Sequence, residues 1–208
     1  MDNKERRDSE MAYIADKSIA EEMRGRRKIN QELNTADWTD TERIRTLSYR
    51  LIGKAGKNLT IVPPFYCDYG NKIEAGDNFF MNYNCTITDV GKVKIGNNVL
   101  FGPAVSVYTA GHPIHPEARN SAYEYGIGVS IGDNVWVGGS TVIVPGVHIG
   151  NDVVIGAGSV VTKDIPDHVV AAGNPCRVIR EITEEDRKYY YKKREFDAEA
   201  WEAVKGKE

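Results

Sequence analysis

His112, set in Gly111-His112-Pro113, is the residue whose type best suits proton transfer at neutral pH. An imidazole with a pKa of about 6.5 accepts a proton without large tuning, which is general-base chemistry. The proline that follows biases the histidine backbone toward an extended form and so fixes the direction of the ring. The plain alternative is a loop histidine making a surface hydrogen bond, and the triplet alone does not decide. His115 lies in the same segment with a weaker claim. His148 falls at a corner of a repeat and His168 after a proline-marked turn, as structural or exposed residues do. Cys67, Cys85 and Cys176 are odd in number and widely spaced, forming neither a disulfide framework nor a metal cluster. Cys67 and Cys85 lie on an apolar beat, where buried small hydrophobes are expected rather than nucleophiles.

That beat identifies the element that must position His112. Ile131, Val137, Ile143, Ile149, Ile155 and Val161 recur every six residues without a slip. Four positions after each come Val135, Thr141, Val147, Val153, Ser159 and Ile165, again small, β-branched or apolar. A period of six fits neither an amphipathic helix nor an alternating strand. It fits short strands joined by tight corners and stacked as a β-solenoid. Earlier stretches keep the beat at Ile61 and Cys67, then Ala75, Met81 and Ile87, then Ile95, Phe101 and Val107, with two-residue slips between them. The count is four full coils after a partial first one. Asn97-Asn98, Asp133-Asn134 and Asn151-Asp152 suit the corners, because they tolerate left-handed backbone angles.

Between Val107 and Ile131 the rhythm is lost, and the ejected segment carries His112, His115 and the pair Glu124-Tyr125. A long loop thrown out by a rigid scaffold is a usual place for function. Residues 1–56 read as a helical segment capping the solenoid, with capping-box patterns at Ser18-Ile-Ala-Glu21 and Thr39-Asp-Thr-Glu42. Residues 57–166 are the solenoid with an inserted loop over 108–130, and 167–208 a C-terminal extension and helix. Thr183 and Asp186 are spaced as a cap for a surface helix. A net charge of −3 over 208 residues gives no electrostatic footprint for nucleic acid or an anionic membrane. No apolar run reaches membrane-span length, and the charged start is unlike a secretory signal. A reducing cytoplasm is the expected location.

Gly111-His112-Pro113, Ile131-Gly-Asp-Asn-Val-Trp-Val-Gly138, Gly156-Ala-Gly-Ser-Val-Val-Thr-Lys-Asp-Ile-Pro166 and Gly173-Asn-Pro-Cys-Arg-Val-Ile-Arg180 together resemble the galactoside/maltose O-acetyltransferases. These are hexapeptide-repeat acyltransferases, and the likeness covers almost the whole chain. It implies a mainly β fold: a left-handed parallel β-helix with an N-terminal helical cap and a short C-terminal helix. It also implies a homotrimer with sites between neighbouring subunits, and transfer of acetyl from acetyl-CoA to a sugar hydroxyl, with no metal required. His112 matches the catalytic histidine, taking the proton of the acceptor hydroxyl as that oxygen attacks the thioester, so that no acyl-enzyme is needed. Asn82 matches an acceptor contact, with Asp16, Asp68, Asp89 and Glu124 as lesser candidates. For acetyl-CoA the resemblance points to Gly139, Ala157, Thr162, Lys163, Arg177 and Arg180. Gly139 stands where relatives often have serine, and a backbone N–H there still serves a developing oxyanion. Relatives commonly have proline at Gly128, so the loop is expected to end more flexibly here.

Three other functions compete. An acyltransferase on the same scaffold can act on an antibiotic, an amino sugar or a serine hydroxyl. A zinc carbonic anhydrase on this helix needs three converging histidines; His112, His115 and His148 can be proposed, but without the family's ligand spacing. A non-catalytic solenoid predicts no coenzyme A binding.

Overall fold

The structure, a computed structural model, describes residues 1–205. Its body is a parallel β-solenoid with three faces. The first face stacks Lys54–Ala55, Ile73–Ala75, Val93–Ile95, Val129–Ile131 and His148–Ile149. The second stacks Thr60–Ile61, Phe80–Met81, Leu100–Phe101, Trp136–Val137, Val154–Ile155 and Val169–Ala172. The third stacks Phe65–Cys67, Cys85–Thr88, Ser106–Tyr108, Val142–Ile143 and Val160–Val161.

Pairing follows the beat residue by residue. Ile61, Met81, Phe101, Val137 and Ile155 are successive partners on the second face. Cys67, Ile87, Val107, Ile143 and Val161 are so on the third. All but the half-buried Cys67 are buried, as are Val135, Thr141, Val147, Val153, Ser159 and Ile165 four positions after later beats. The solenoid has five complete coils, and the bridge from Ile149 to Ile165 begins a sixth. The expected four full coils undercount, because the opening strand Lys54–Ala55 offers the period only a lysine and a small residue.

The corner between the first and second faces explains the Asn and Asp signals. Asn58, Asn78, Asn98 and Asn134 hold φ of 55–58° there, and each side-chain amide donates to the residue one coil on, ending at Asp152, over 2.8–3.0 Å. Beside this ladder runs another, in which Asp77, Asn97, Asp133, Asn151 and Asp167 each accept a backbone N–H from the preceding coil at 2.6–2.8 Å. Such packing leaves no room for side chains in the adjoining glycine column. A Cβ on Gly96 would lie 2.6 Å from the Gly132 carbonyl and closer still to Asp133.

Three helices cap the first coils: α1 (Asn3–Asp8), α2 (Lys17–Asn34) and α3 (Thr41–Leu51). Asn34 accepts from the Phe65 N–H at 2.9 Å and donates to the Phe65 carbonyl at 2.8 Å, bracketing the third face against α2. Arg26 donates to the carbonyls of Tyr69, Arg50 and Leu51, joining α2 to the end of α3. The caps differ from the expected boxes. Asp16 caps α2, accepting from the N–H groups of Ser18 and Ile19, and Asp40 caps α3, accepting from Arg43. A carboxylate two residues ahead of Ser18, and another directly after Thr39, is the stronger acceptor and moves each boundary.

The closing segment is not one surface helix. Asp186 does accept from the Thr183 N–H at 2.9 Å, but it caps only a 3-10 turn, Glu184–Lys188. A hairpin of Tyr189–Tyr191 with Arg194–Glu195 follows, then α5 over Ala198–Lys205; α4 (Pro116–Asn120) lies in the inserted segment. Three consecutive tyrosines favour extended backbone over helix.

The glycine column gives the first test. Gly96→Ala should lower stability by about 1–3 kcal/mol through overpacking. Urea unfolding against the unmodified chain reads it; an unchanged midpoint would show that the coils are not held this closely.

Candidate active site

The inserted segment is a built arm rather than a loose loop. It leaves the third face after Tyr108 and pairs Ala110–Gly111 antiparallel with Tyr123–Gly126. Tyr13–Ile14 from the N-terminal segment adds a third strand, with Tyr13 opposite Glu124. Buried Thr109 rivets the base: its hydroxyl accepts from the Gly91 N–H at 2.8 Å, and its own N–H donates to Thr88 Oγ1 at 3.3 Å. Gly111 lies under the Tyr125 ring, where a Cβ would stand 2.6 Å from Cε2 and nearer still to the phenol oxygen. His112 follows directly, exposed, and among the described residues no group hydrogen-bonds its ring. The arm's return is tied rather than loosened at Gly128. Its N–H donates to Glu10 at 2.9 Å and its carbonyl accepts from Gly146 at 3.2 Å. Proline could not make the first of these bonds.

The candidate residues divide between two corners separated by the width of the third face. At the corner between the third and first faces lie Asp68, Asp89, the take-off of the arm with His112 and Glu124, and Thr162-Lys163. At the corner between the second and third faces lie Asn82, Gly139 and Ala157; Gly139 and Ala157 stack with Pro103 through backbone bonds such as Ser140 N–H to Pro103 O and Gly158 N–H to Gly139 O, both at 2.9 Å, while Asn82 is in register with Gly138, one residue earlier. Strand spacing of about 4.8 Å puts Gly139 two coils, roughly 10 Å, along from Asn82.

Individual positions are informative. Gly138 donates to Ile155 O at 2.8 Å and Ser140 to Pro103 O, which fixes the intervening Gly139 N–H; among the described residues nothing accepts from it. Asn82 Oδ1 accepts from the Tyr83 N–H at 2.8 Å, leaving Nδ2 without a partner among the described residues. Asp68 is half-buried and lies 3.3 Å from Arg27. Glu124 is half-buried beside Tyr13, whose phenol burial and the Glu124 charge push up. Asp16 serves the α2 cap and accepts from Asn3 at 3.2 Å. Asp89, expected to touch an acceptor, is fully buried; its carboxylate accepts from the N–H groups of Asp68, Tyr69 and Lys72. It shapes the corner from beneath rather than lining its surface.

Among the cations, Lys163 is exposed and without an ion pair among the described residues, and Arg177 makes one bond, to the Cys176 carbonyl. Arg180 is more committed. Its fork engages both Asp186 oxygens at 2.7 Å, which leaves it fewer donors for a phosphate. His148 is occupied elsewhere, with Nδ1 2.7 Å from Ser130 Oγ on the first face.

One group escaped the sequence reading. On the outward positions of the second face, Leu100 and Trp136 are register partners, 48% and 54% exposed, with Phe80 and Val154 beside them. Such an outward apolar stripe marks an interaction surface. Its signal was available, since each residue immediately precedes a beat position, where polar side chains are expected.

The sequence and the fold are shared with known proteins. A family model for the bacterial transferase hexapeptide (six repeats) matches residues 128–163. The galactoside O-acetyltransferase of Escherichia coli is 48% identical over 161 residues, covering 77% of this chain and 79% of that one. A solved galactoside acetyltransferase in complex with coenzyme A superposes with a TM-score of 0.92 at 41% identity, over 95% of this chain and 100% of that one. A maltose O-acetyltransferase from Clostridium difficile 630 gives 0.87 at 47% identity, over 88% and 99%. The chain therefore belongs to the galactoside/maltose O-acetyltransferase family of left-handed β-helix, hexapeptide-repeat acyltransferases. As a member it is an O-acetyltransferase that uses acetyl-CoA as its acetyl donor.

Two tests follow. Gly111→Ala should displace Tyr125 and misaim His112, lowering turnover by about ten- to a hundredfold, with little change in the unfolding midpoint. Adding Tyr125→Ala should recover part of the loss, and no recovery would disconnect the ring from the histidine. The second concerns pH. Burial is the main cause pushing the Asp89 carboxyl up to about 6, against the backbone N–H of Tyr69. The folded chain then holds this proton more tightly than the unfolded one, whose carboxyl titrates near pH ~4. Stability from this group is whole below that value and lost as pH rises through about 6. Asp89→Asn should flatten the fall in unfolding free energy across this window, and a slope matching the unmodified chain's would contradict the assignment.

Proposed function

We propose that the enzyme moves acetyl from acetyl-CoA to a hydroxyl of a sugar or glycoside of the maltose, galactoside or glucose type. The acceptor classes named for its relatives motivate this reading. His112 acts as general base on the acceptor hydroxyl, which attacks the thioester directly. The fixed Gly139 N–H and the free Asn82 amide answer the developing oxyanion and the acceptor. Thiol chemistry favours direct attack, because burial holds Cys85 up at about 11 and raises Cys67 and Cys176 as well. None of them is an available thiolate nucleophile near neutral pH.

The observation that carries the proposal is the division of candidates between two corners. Within one chain the third face lies between His112 and the corner that bears Asn82, Gly139 and Ala157. A neighbouring copy that lays its corner beside this arm completes the set, which is the homotrimer expected of the family. The apolar stripe of Leu100 and Trp136 leads into the Gly138-Gly139 corner and suits burial in that cleft. Asp68 and Glu124 then line the acceptor side, with Asp16 close behind them through the Tyr13–Ile14 strand. Thr162, Lys163, Ala157 and Arg177 serve coenzyme A, the cations holding its phosphates. Arg180 joins them only by sharing its Asp186 partner. Three free thiols suit work in a reducing cytoplasm.

Thiol release from acetyl-CoA across a panel of sugars, glycosides, amino sugars and serine is the direct assay; turnover confined to non-sugar acceptors would overturn the substrate class. His112→Ala should lower turnover by about 10²–10⁴-fold while the assembly stays intact by light scattering. Unchanged turnover would remove it as the base. Lys163→Ala and Arg177→Ala should raise KM for acetyl-CoA by about tenfold or more; an effect on acceptor KM alone would place them elsewhere.

A further inference from the structure

A second groove runs from the foot of the arm along the outside of the third face, walled by α2. Its volume is about 480 Å³, within the range of small-molecule sites. The floor is made by outward residues of the first coils: Tyr66, 52% exposed, its register partner Thr86, and Thr88. Tyr66 and Thr86 are flanked by inward apolar residues and Thr88 by the buried Ile87 and Asp89, so the side chains alternate across the sheet as pleating requires. The wall presents Arg27 and Gln31, one helical turn apart on the same side of α2.

Several features make this a prepared surface rather than an accidental crevice. The wall is rigid, because Asn30 and Asn34 bind the Phe65 backbone at 2.8–2.9 Å. The floor bears hydroxyls in coils one to three only; in later coils the same positions are Val142 and Val160. The side chains of Gln31, Tyr66 and Thr86 have no hydrogen-bond partner among the described residues, so their donors and acceptors face the groove unused. Asp68, held by Arg27, closes the end nearest the arm. Thr88 at that end bonds Thr109, three residues before His112.

We propose that this groove binds the part of the acceptor beyond the ring that is acetylated, a second sugar residue. Hydroxyls and an amide match a polyhydroxylated ligand, and the exposed Tyr66 ring offers a flat apolar face to the C–H side of a sugar. Thr88, bonded to Thr109, joins the groove to the segment that carries His112. The proposal rests on the acetyl-transfer reading given above, and deepens it by assigning chain length as a determinant of acceptor choice.

Glucose and maltose distinguish the groove from the reacting site. In Tyr66→Ala and, separately, Gln31→Ala, the KM for maltose should rise about tenfold, the scale of one lost contact, while glucose kinetics stay unchanged. Equal shifts for both sugars, or for neither, would overturn the proposal. Gln31 is exposed on a helix and its variant should fold even if Tyr66→Ala does not. Saturation-transfer NMR of maltose on the full chain, without acetyl-CoA, reads the groove independently of catalysis. Contact to both rings, reduced at one ring in either variant, supports the groove even if no acetyl transfer occurs; contact to one ring only, unaltered in the variants, removes it.

Discussion

A coil of this solenoid has no backbone partners except the coils on either side. Each must therefore present its N–H groups and carbonyls at strand spacing, in the same register, with nothing thicker than a hydrogen atom between glycine and neighbouring backbone at the tight corners. The inward beat, the Asn and Asp ladders and the glycine column all serve that single requirement. It also decides where extra chain can go. An insertion within a face would break the pairing of that face with the coils on both sides, so it leaves at a corner and returns to the same corner.

The arm is the direct result. It departs after Tyr108, turns back through Tyr123–Gly126, and rejoins at Val129 opposite Val93 without disturbing the stack. Because a hairpin outside the stack has little core of its own, other parts of the chain hold it: Thr109 at its base, the Tyr13–Ile14 strand along its edge, and Glu10 at its return. The N-terminal segment thus holds the arm as well as capping the solenoid. The regular corners stand across the third face from the arm. Their unbonded N–H at Gly139 is rigid because the same coil-to-coil bonds pin the residues on either side.

Much of the scaffold was legible because buried positions admit few residue types. The chain of partners from Ile61 to Ile155 could be listed from the period, two-residue slips included. Lys54–Ala55 escaped because an alanine and a lysine carry no periodic signal, and the helix starts were displaced because Asp16 and Asp40 outcompete nearby hydroxyls. His112 and its arm were visible as a gap in a rhythm. The burial of Asp89, the commitment of Arg180 to Asp186 and the division of the candidates between two corners were not. Those depend on which side chains meet across separate coils, and no spacing along the chain reports that. Trp136 lay between: its position just ahead of a beat residue marks it as outward, though not what it faces.

In the proposed assembly His112 of one subunit works with the corner residues of another. Mixing subunits tests it most directly: His112→Ala and Asn82→Ala chains, each of low activity alone, are co-expressed and the mixed assemblies isolated by paired affinity tags. In a cyclic trimer of both kinds, about one site in three regains both residues. Acetyl transfer in the mixed assemblies is then expected at about that fraction of the unmodified rate. Activity no greater than that of the two variants separately would place both residues in sites within one chain, and would contradict it.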